Sequence, residues 1–376
     1  MATVFLFAIF TLANILLFGD LGAGSDGRHM TGLLVTNAFN PIPSRQLGRL
    51  RGMEPLLMTE AQGLDTQILL GERISNIRSH TDATGEQWAE VALLDQPKYS
   101  NGVWVPKVTF IKQQHCLPRS IGWEANARVI NMVTSVYASK NIKSMQLGVL
   151  SMGTPVRVKN SFRHGWVEIE LASGLVGNVA ASDVVTDKFL ARVSVANKRD
   201  LVVAAAAKFE NTPYRWGGAS GFNGDDTGVD CSGEVLRAYQ AIGFKPPRDS
   251  HDQFMVAAPV KFGTDLQPAD LIFFAKITAQ KTVKVIHVVM VVDDHHLIEA
   301  TGMCCYSNKE FEALSEFDKT QVRTRIIDPR EHKGIKQSFA ELWNGQMNKD
   351  GDMLIFLGTF LGDGLTRKRL MRGLIE

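Results

Sequence analysis

Cysteine is scarce in this sequence, and neither sign of charge dominates it. The 376 residues include only Cys116, Cys231, Cys304 and Cys305, and 41 basic against 39 acidic side chains give a net charge of +2. So few cysteines exclude a disulfide scaffold, and their spacing does not fit a zinc site. We interpret the neighbouring pair Cys304 and Cys305 as packing residues, with a redox role as the alternative. Without a basic face or a glycine-rich phosphate loop, nothing argues for nucleic acid or nucleotide partners.

The N-terminal residues 4–18 form an almost continuous apolar run. Its length suits the core of a signal peptide better than a membrane span, which needs about 20 apolar residues. We therefore predict that residues 1–25 are a signal peptide or membrane anchor and that the protein is exported to the cell envelope or beyond. Because residues 1–3 contain no Lys or Arg, a buried N-terminal helix in a cytoplasmic protein remains an alternative.

Two stretches of short alternating apolar runs follow a Gly- and Pro-punctuated segment at 26–62, which we interpret as a linker. The stretches, residues 63–115 and 125–190, show the turn-separated pattern that is typical of small β-barrels. Each contains a turn, a strand that begins near a Trp, a Gly-rich turn and a Val-rich strand, in the same order. We interpret them as a degenerate internal repeat of about sixty residues.

Cys231 lies where a polar loop meets an apolar-periodic stretch. Residues 234–242 predict a helix that ends at Gly243. The free N–H groups and the positive dipole end of such a helix favour negative charge on the sulfur. The placement therefore predicts a nucleophilic thiolate, and a buried structural cysteine is the alternative interpretation.

A thiolate nucleophile needs a base and a group that orients the base. His287 lies in a strand-like run at 285–292, a polar turn follows at 293–296, and Glu299 lies in the returning strand. In a hairpin centred on Asp293, His287 and Glu299 stand directly opposite each other on one face, and the carboxylate can hold the imidazole tautomer. A shift of one residue would separate them, so an ordinary strand histidine and a solvated glutamate remain alternatives. The turn residues His295 and His296 are expected to be exposed.

Six motifs in the second half of the chain resemble those of the NlpC/P60 cysteine peptidases, and they occur in the same order. They are TPYRWGG at 212–218, DCSG at 230–233, PRDSHDQ at 247–253, PADLIFF at 268–274, HV at 287–288 and IEA at 298–300. That family is similar to a stripped-down papain fold. The resemblance therefore implies an α+β fold, with a papain-like catalytic domain at 196–330 behind two SH3-like (SH3b) β-barrels at 63–115 and 125–190. We interpret residues 331–376 as a C-terminal extension, in which the apolar run at 353–357 could form a closing strand.

The same resemblance implies roles for individual residues. Cys231 would be the nucleophile, His287 the base and Glu299 the residue that orients it, with Tyr214 close to the thiol. No metal or organic cofactor is implied. The motifs TQILLGE at 66–72 and VWVPK at 103–107 are similar to those of the YkfC-type subgroup. This implies hydrolysis of γ-D-glutamyl-diamino acid bonds in peptidoglycan stem peptides or muropeptide fragments.

The subgroup resemblance also implies substrate contacts. Asp230 would bind a free N-terminal amine, and Ser232 and Ser250 would hold the peptide. Tyr99 could close the pocket only if its loop is rebuilt, because Asn101 stands at the subgroup's tyrosine position.

Two further departures are an extended loop at 223–227 and Ala269 where glycine is usual. A wall-binding module with an inactive peptidase fold and a related amide hydrolase or transacylase are the alternative functions.

Overall fold

The computed structural model describes residues 29–31, 35–40, 64–100, 103–118, 122–160, 164–222, 227–260, 266–280, 282–301, 324–328 and 353–361. The apolar run at 4–18, Asn101, Cys304 and Cys305 lie outside these ranges. Within them, no helix combines the length and the apolar character that crossing a membrane requires.

The first β unit is a seven-stranded antiparallel sheet. Its strands are β1 (His29–Thr31), β2 (Val35–Phe39), β3 (Leu64–Leu69), β4 (Ile74–Thr81), β5 (Gln87–Ser100), β6 (Val103–Lys112) and β7 (Cys116–Pro118). They pair in the order β3-β2-β6-β5-β4-β1-β7. Inward-facing Ile68, Ile74, Val91 and Ile111 form a small buried core, as alternating strands require.

The second β unit repeats this arrangement. Its strands are β8 (Ala127–Val129), β9 (Val133–Tyr137), β10 (Gln146–Ser151), β11 (Pro155–Val158), β12 (Trp166–Glu170), β13 (Val176–Ala180) and β14 (Val184–Thr186). They pair in the order β10-β9-β13-β12-β11-β8-β14, so every strand takes the place of its counterpart in the first sheet. A 3₁₀ turn precedes the last strand in both units, at Gln113–His115 and Ala181–Asp183. The shared topology agrees with an internal repeat, but the first unit spans residues 29–118 and is longer than the predicted sixty residues.

The prediction of a linker at 26–62 is wrong for part of that segment. Residues 29–31 and 35–39 form β1 and β2, the counterparts of β8 and β9, and β2 pairs with both β3 and β6. Phe39 also packs edge-on against Trp88, with ring centroids 5.8 Å apart. These strands are short and far from β3 along the chain, so they carry too little alternation to be recognised alone.

Among the described residues, the remaining elements are four helices, a short hairpin and a six-stranded antiparallel sheet. The helices are α1 (Asp187–Leu190), α2 (Val195–Ala207), α3 (Cys231–Gln240) and α4 (Ser250–Val256), and the hairpin strands are β15 (Ala219–Ser220) and β16 (Gly228–Val229). The sheet strands are β17 (Ala258–Pro259), β18 (Leu271–Ile277), β19 (Val283–Asp293), β20 (His296–Ala300), β21 (Thr324–Ile327) and β22 (Met353–Thr359). Helix α3 packs against β19 and β20.

The prediction that residues 331–376 extend beyond the catalytic domain is wrong for β22. This strand lies inside the sheet, between β17 and β18, in the order β17-β22-β18-β19-β20-β21. Its Ile355 and Leu357 share a buried cluster with Phe274 and Val289. The apolar run of β22 therefore buries itself in the sheet that carries His287.

Buried polar contacts join the first β unit to the helical part of the chain. Arg237 of α3 is completely buried and donates to Glu72 Oε1 at 2.6 Å and to the carbonyl oxygen of Gln67 at 2.7 Å. Arg248 donates to Thr66 Oγ1 at 2.9 Å. The two parts thus share one buried interface.

Candidate active site

Cys231 is the first residue of α3 and is buried. The preceding Asp230 caps the helix, because its carboxylate accepts the Gly233 N–H at 2.7 Å. The helix start is packed tightly against the 217–218 turn, since a Cβ at Gly233 would stand 2.1 Å from the Gly218 carbonyl oxygen. The structure thus places the Cys231 sulfur at a helix N-terminus, where unsatisfied N–H groups favour an anion.

His287 and Glu299 meet in the hairpin formed by β19 and β20. His287 Nε2 lies 3.0 Å from Glu299 Oε2, and both side chains are buried. A carboxylate at this distance stabilises the tautomer with the proton on Nε2. The other ring nitrogen, Nδ1, is then the one that can accept a thiol proton.

The predicted register of this hairpin is wrong by two residues. Met290 pairs with Ile298 and Val291 with Leu297, and a bulge follows before Asp293. His287 and Glu299 are therefore diagonal neighbours, because the turn is centred beyond Asp293. The shift is even, so both side chains stay on one face, and diagonal neighbours remain within reach of long side chains.

Arg325 is a partner of Glu299 that sequence reasoning missed. It lies opposite Glu299 in the pairing of β20 with β21. Its Nη2 and Nε donate to Glu299 Oε1 at 2.9 and 3.2 Å, while Oε2 faces His287. No local signal in the sequence marks this pair, because β21 lies beyond a long intervening segment and its register is a tertiary property.

Glu234 is a buried carboxyl group that interacts electrostatically with all three candidate residues. It lies on α3 one turn after Cys231 and is 1 % exposed. Burial raises its pKa to about 8, and the negative charges of Cys231 and Glu299 add to this effect, whereas His287 opposes it. Cys231, His287 and Glu299 are thus the charged groups that act on this buried carboxyl group. Sequence reasoning treated Glu234 only as part of the helix.

Asp230 and Ser232 belong to a compact ion-pair network. Asp230 Oδ2 and Oδ1 accept from Arg248 Nη2 and Nη1 at 2.7 and 2.9 Å, and Oδ2 also accepts the Gly217 N–H at 2.9 Å. Ser232 Oγ donates to Asp230 at 3.2 Å and accepts from Arg248 at 2.9 Å. An ammonium ligand would share the Asp230 carboxylate with a buried guanidinium.

The other predicted substrate residues lie at the edges of this region. Tyr214 is buried in the same apolar cluster as Cys231 and forms a bridge with Val229. Ser250 begins α4 and is half-buried. The Tyr99 backbone N–H donates to the carboxyl of Asp252 in α4, so β5 of the first unit reaches the helix that carries Ser250.

Two exposed histidines lie apart from these residues. His295 and His296 occupy the exposed turn after β19, where His296 Nδ1 lies 2.9 Å from Asp293 Oδ1. Neither approaches the His287–Glu299 pair through any contact in the described part of the chain.

Comparison with known proteins shows which family the C-terminal half of the chain is similar to. Residues 211–315 match the NlpC/P60 family. A crystal structure of an NlpC/P60 family protein from Bacillus cereus superposes with a TM-score of 0.62 at 20% identity, covering 89% of this chain and 100% of that one. The chain therefore contains an NlpC/P60 domain, and the superposition shows that the fold is shared.

Named relatives are similar in sequence over a longer part of the chain than the family match at 211–315. It is 27% identical over 224 residues to the gamma-D-glutamyl-L-lysine dipeptidyl-peptidase of Bacillus subtilis, covering 56% of this chain and 64% of that protein. The Bacillus cereus protein of the same name is 26% identical over 272 residues, covering 71% and 76%. The peptidoglycan endopeptidase RipB of Mycobacterium tuberculosis is 28% identical over 170 residues, covering 42% and 66%.

Proposed function

We propose that this protein is a cysteine endopeptidase that hydrolyses γ-D-glutamyl-diamino acid bonds in peptidoglycan stem peptides. The observation that carries the proposal is the buried His287–Glu299 hydrogen bond, together with Cys231 at the start of the helix packed on those strands. The names of the relatives support the substrate class. Action on the cell wall fits the prediction that the protein is exported.

The reaction follows from these positions. His287 Nδ1 takes the thiol proton, and the Cys231 sulfur attacks the carbonyl carbon of the γ-D-glutamyl bond. Backbone N–H groups at the start of α3 stabilise the oxyanion. His287 then protonates the leaving amine, so the carbon–nitrogen bond breaks and a thioester remains. A water molecule, deprotonated by His287, hydrolyses the thioester and restores the thiol. No step requires a metal or an organic cofactor.

Glu299 supports this reaction by holding the proton on Nε2 and by stabilising the imidazolium that forms. Arg325 holds Glu299 from the other side, so the carboxylate keeps its orientation while His287 changes charge. These two residues give the base a single productive orientation.

The substrate side of the proposal involves both parts of the chain. Tyr214, Asp230 and Ser232 surround the nucleophile, and Ser250 holds the peptide. Tyr99 lies where the first β unit meets the helix of Ser250, and its backbone N–H donates to Asp252. This contact favours a role of the SH3-like unit in narrowing the pocket. We propose that Asp230 and Arg248 together select the N-terminal end of the peptide.

Hydrolysis of a defined stem peptide tests the proposal. The wild-type protein is expected to release L-Ala-γ-D-Glu from a peptide that begins with L-Ala-γ-D-Glu and a diamino acid. The Cys231→Ala variant should lose this release while its circular dichroism spectrum stays unchanged, because only the nucleophile is removed. Unchanged turnover in the variant would reject the nucleophile, and no turnover in the wild type would reject the substrate class.

An N-acetylated copy of the same peptide forms the second arm of this experiment. Blocking the amine should lower kcat/KM at least tenfold if Asp230 takes part in binding it, because a charge-assisted hydrogen bond is worth about 1.5–3 kcal/mol. Equal rates on both peptides would remove amine selection from the proposal.

A further inference from the structure

Glu234 is a buried carboxyl group for which the proposed reaction has no use. Within the part of the chain that the structure describes, its Oε1 has no hydrogen-bond partner. Its carboxyl group accepts the backbone N–H of Ala300, the residue after Glu299. The side chain therefore crosses from the helix of the nucleophile to the strand of the orienting carboxylate. An ionised carboxylate without a cationic partner is costly at such a place, whereas a neutral acid is not.

The charged and titratable groups around Glu234 come from three elements. Cys231 lies on its own helix, His287 on β19 and Glu299 on β20. The guanidinium groups at the site are engaged elsewhere, because Arg325 binds Glu299 and Arg248 binds Asp230. In the part of the chain that the structure describes, a positive charge on His287 is the one that favours the ionised form of Glu234.

We propose that Glu234 is a positioning residue that works as a neutral carboxylic acid, and that loss of its proton suppresses the thiolate of Cys231. The inference rests on the proposed role of Cys231 as a nucleophile. In the neutral state, the Glu234 carboxyl group joins α3 to β20. It does not compete with the Cys231 thiolate and Glu299 for the positive charge of His287. When the proton passes to solvent, the negative groups of Glu234, Cys231 and Glu299 compete for one imidazolium. Neighbouring like charges then oppose one another.

The consequence is a reactivity that falls at alkaline pH. An ordinary thiol becomes more reactive as pH rises through about 8.5 and then stays reactive. Burial and the neighbouring negative charges raise the pKa of Glu234 to about 8, so its proton is lost in the same range. The Cys231 thiol should therefore lose reactivity above about pH 8, although a simple thiol gains it.

Alkylation of the full-length protein by iodoacetamide between pH 6 and 10 tests this. The reagent is neutral, so its own approach does not depend on charge at His287, and peptide mass spectrometry assigns the modification to Cys231. Wild type should show a rate that declines at least fivefold from pH 7.5 to 9.5. The Glu234→Gln variant, neutral and of the same shape, should keep the rate at pH 7 within about threefold and show no decline.

A matched control and a second variant make the outcome decisive. The Glu210→Gln change makes the same substitution at an exposed position and should reproduce the wild-type profile. Glu234→Met, neutral but unable to accept the Ala300 N–H, should be slower at all pH values and also lack the decline. If both Glu234 variants retain the alkaline decline, or if wild type shows none, the inference is overturned.

Stem-peptide hydrolysis in the same samples separates this inference from the proposed function. A Glu234-dependent decline in alkylation supports the inference even where no stem peptide is cleaved, a result that would reject only the substrate class. Hydrolysis by a wild-type protein without any alkaline decline would support the proposed function and overturn the role of Glu234.

Discussion

At the residue scale, the two oxygens of Glu299 serve different partners. Oε2 faces His287 Nε2 at 3.0 Å, and Oε1 accepts from Arg325 Nη2 at 2.9 Å. Arg325 is partly exposed whereas Glu299 is buried, so the guanidinium links a buried carboxylate to the surface. The orientation of His287 thus depends on a side chain outside the family motifs that the sequence displays.

Replacing Arg325 by Gln should lower kcat for stem-peptide hydrolysis about tenfold without abolishing it. A hydrogen bond to a charged group contributes about 1.5–3 kcal/mol, and 1.4 kcal/mol corresponds to a factor of ten in rate. The Arg157→Gln change is the control, since Arg157 lies in the second β unit at 3.5 Å from Glu170. A kcat for Arg325→Gln equal to that of the control would show that Glu299 does not need this partner.

The candidate residues Cys231, His287 and Glu299 could be proposed from the sequence, but the side chains that contact them could not. Cys231, His287 and Glu299 stand out because local pattern places each at a helix start or within a short hairpin. Glu234 looks like an ordinary acidic residue of a first helical turn, a place where negative charge is favourable. Its burial arises only when α3 packs on β19 and β20, which no local pattern encodes.

Ala269 illustrates the reverse case, in which the structure explains a departure from the family pattern. Its φ is +67°, in the left-handed region where glycine is unstrained, and its N–H donates to the Val291 carbonyl oxygen at 2.8 Å. Its carbonyl accepts from Tyr239 at 2.5 Å. These contacts hold alanine in a conformation that glycine would adopt freely.

At the element scale, the hairpin of β19 and β20 sets which side chains share a face. The sequence predicted the two strands and the shared face correctly, but not the register, because a bulge near Asp293 moves the turn centre. Since side chains alternate with a period of two, an even shift changes which residues are opposite but preserves the face. The prediction that His287 and Glu299 share a face therefore survived an error of two residues in the register. An error of one residue would have separated them.

Two single-glycine insertions test this dependence on register. An extra glycine between Asp294 and His295 lengthens only the exposed turn, so stem-peptide turnover should stay within about threefold of wild type. The matched insertion between Val288 and Val289 moves His287 to the opposite face relative to Glu299, and turnover should fall by at least a hundredfold. Equal turnover in the two variants would show that the pairing of β19 with β20 does not position the base.

At the scale of the whole molecule, the two seven-stranded sheets share one topology although their sequences differ. Alternation and turn residues revealed most strands of both units. They did not reveal β1, β2 or the place of β22, because these strands pair with partners far away in the chain. Sequence pattern reports local alternation, whereas sheet order depends on contacts that form only in the folded chain.

The buried pair Glu72–Arg237 joins the first β unit to α3. Removing one partner, as in Glu72→Ala, leaves Arg237 without its counter-charge and should lower the free energy of unfolding by about 3–5 kcal/mol. The double variant Glu72→Leu/Arg237→Met replaces both charges by apolar groups and should be more stable than the single variant. Urea unfolding followed by tryptophan fluorescence measures both. A double variant at least as unstable as Glu72→Ala would show that the pair does not act as a unit.

The position of β22 has a consequence for the biosynthesis of the protein. Strand β18 pairs with β22 on one side and with β19 on the other. Its edge towards β22 therefore stays open until residues 353–359 have left the ribosome. A nascent chain that already contains Cys231 and His287 therefore exposes an unpaired strand edge until β22 joins the sheet.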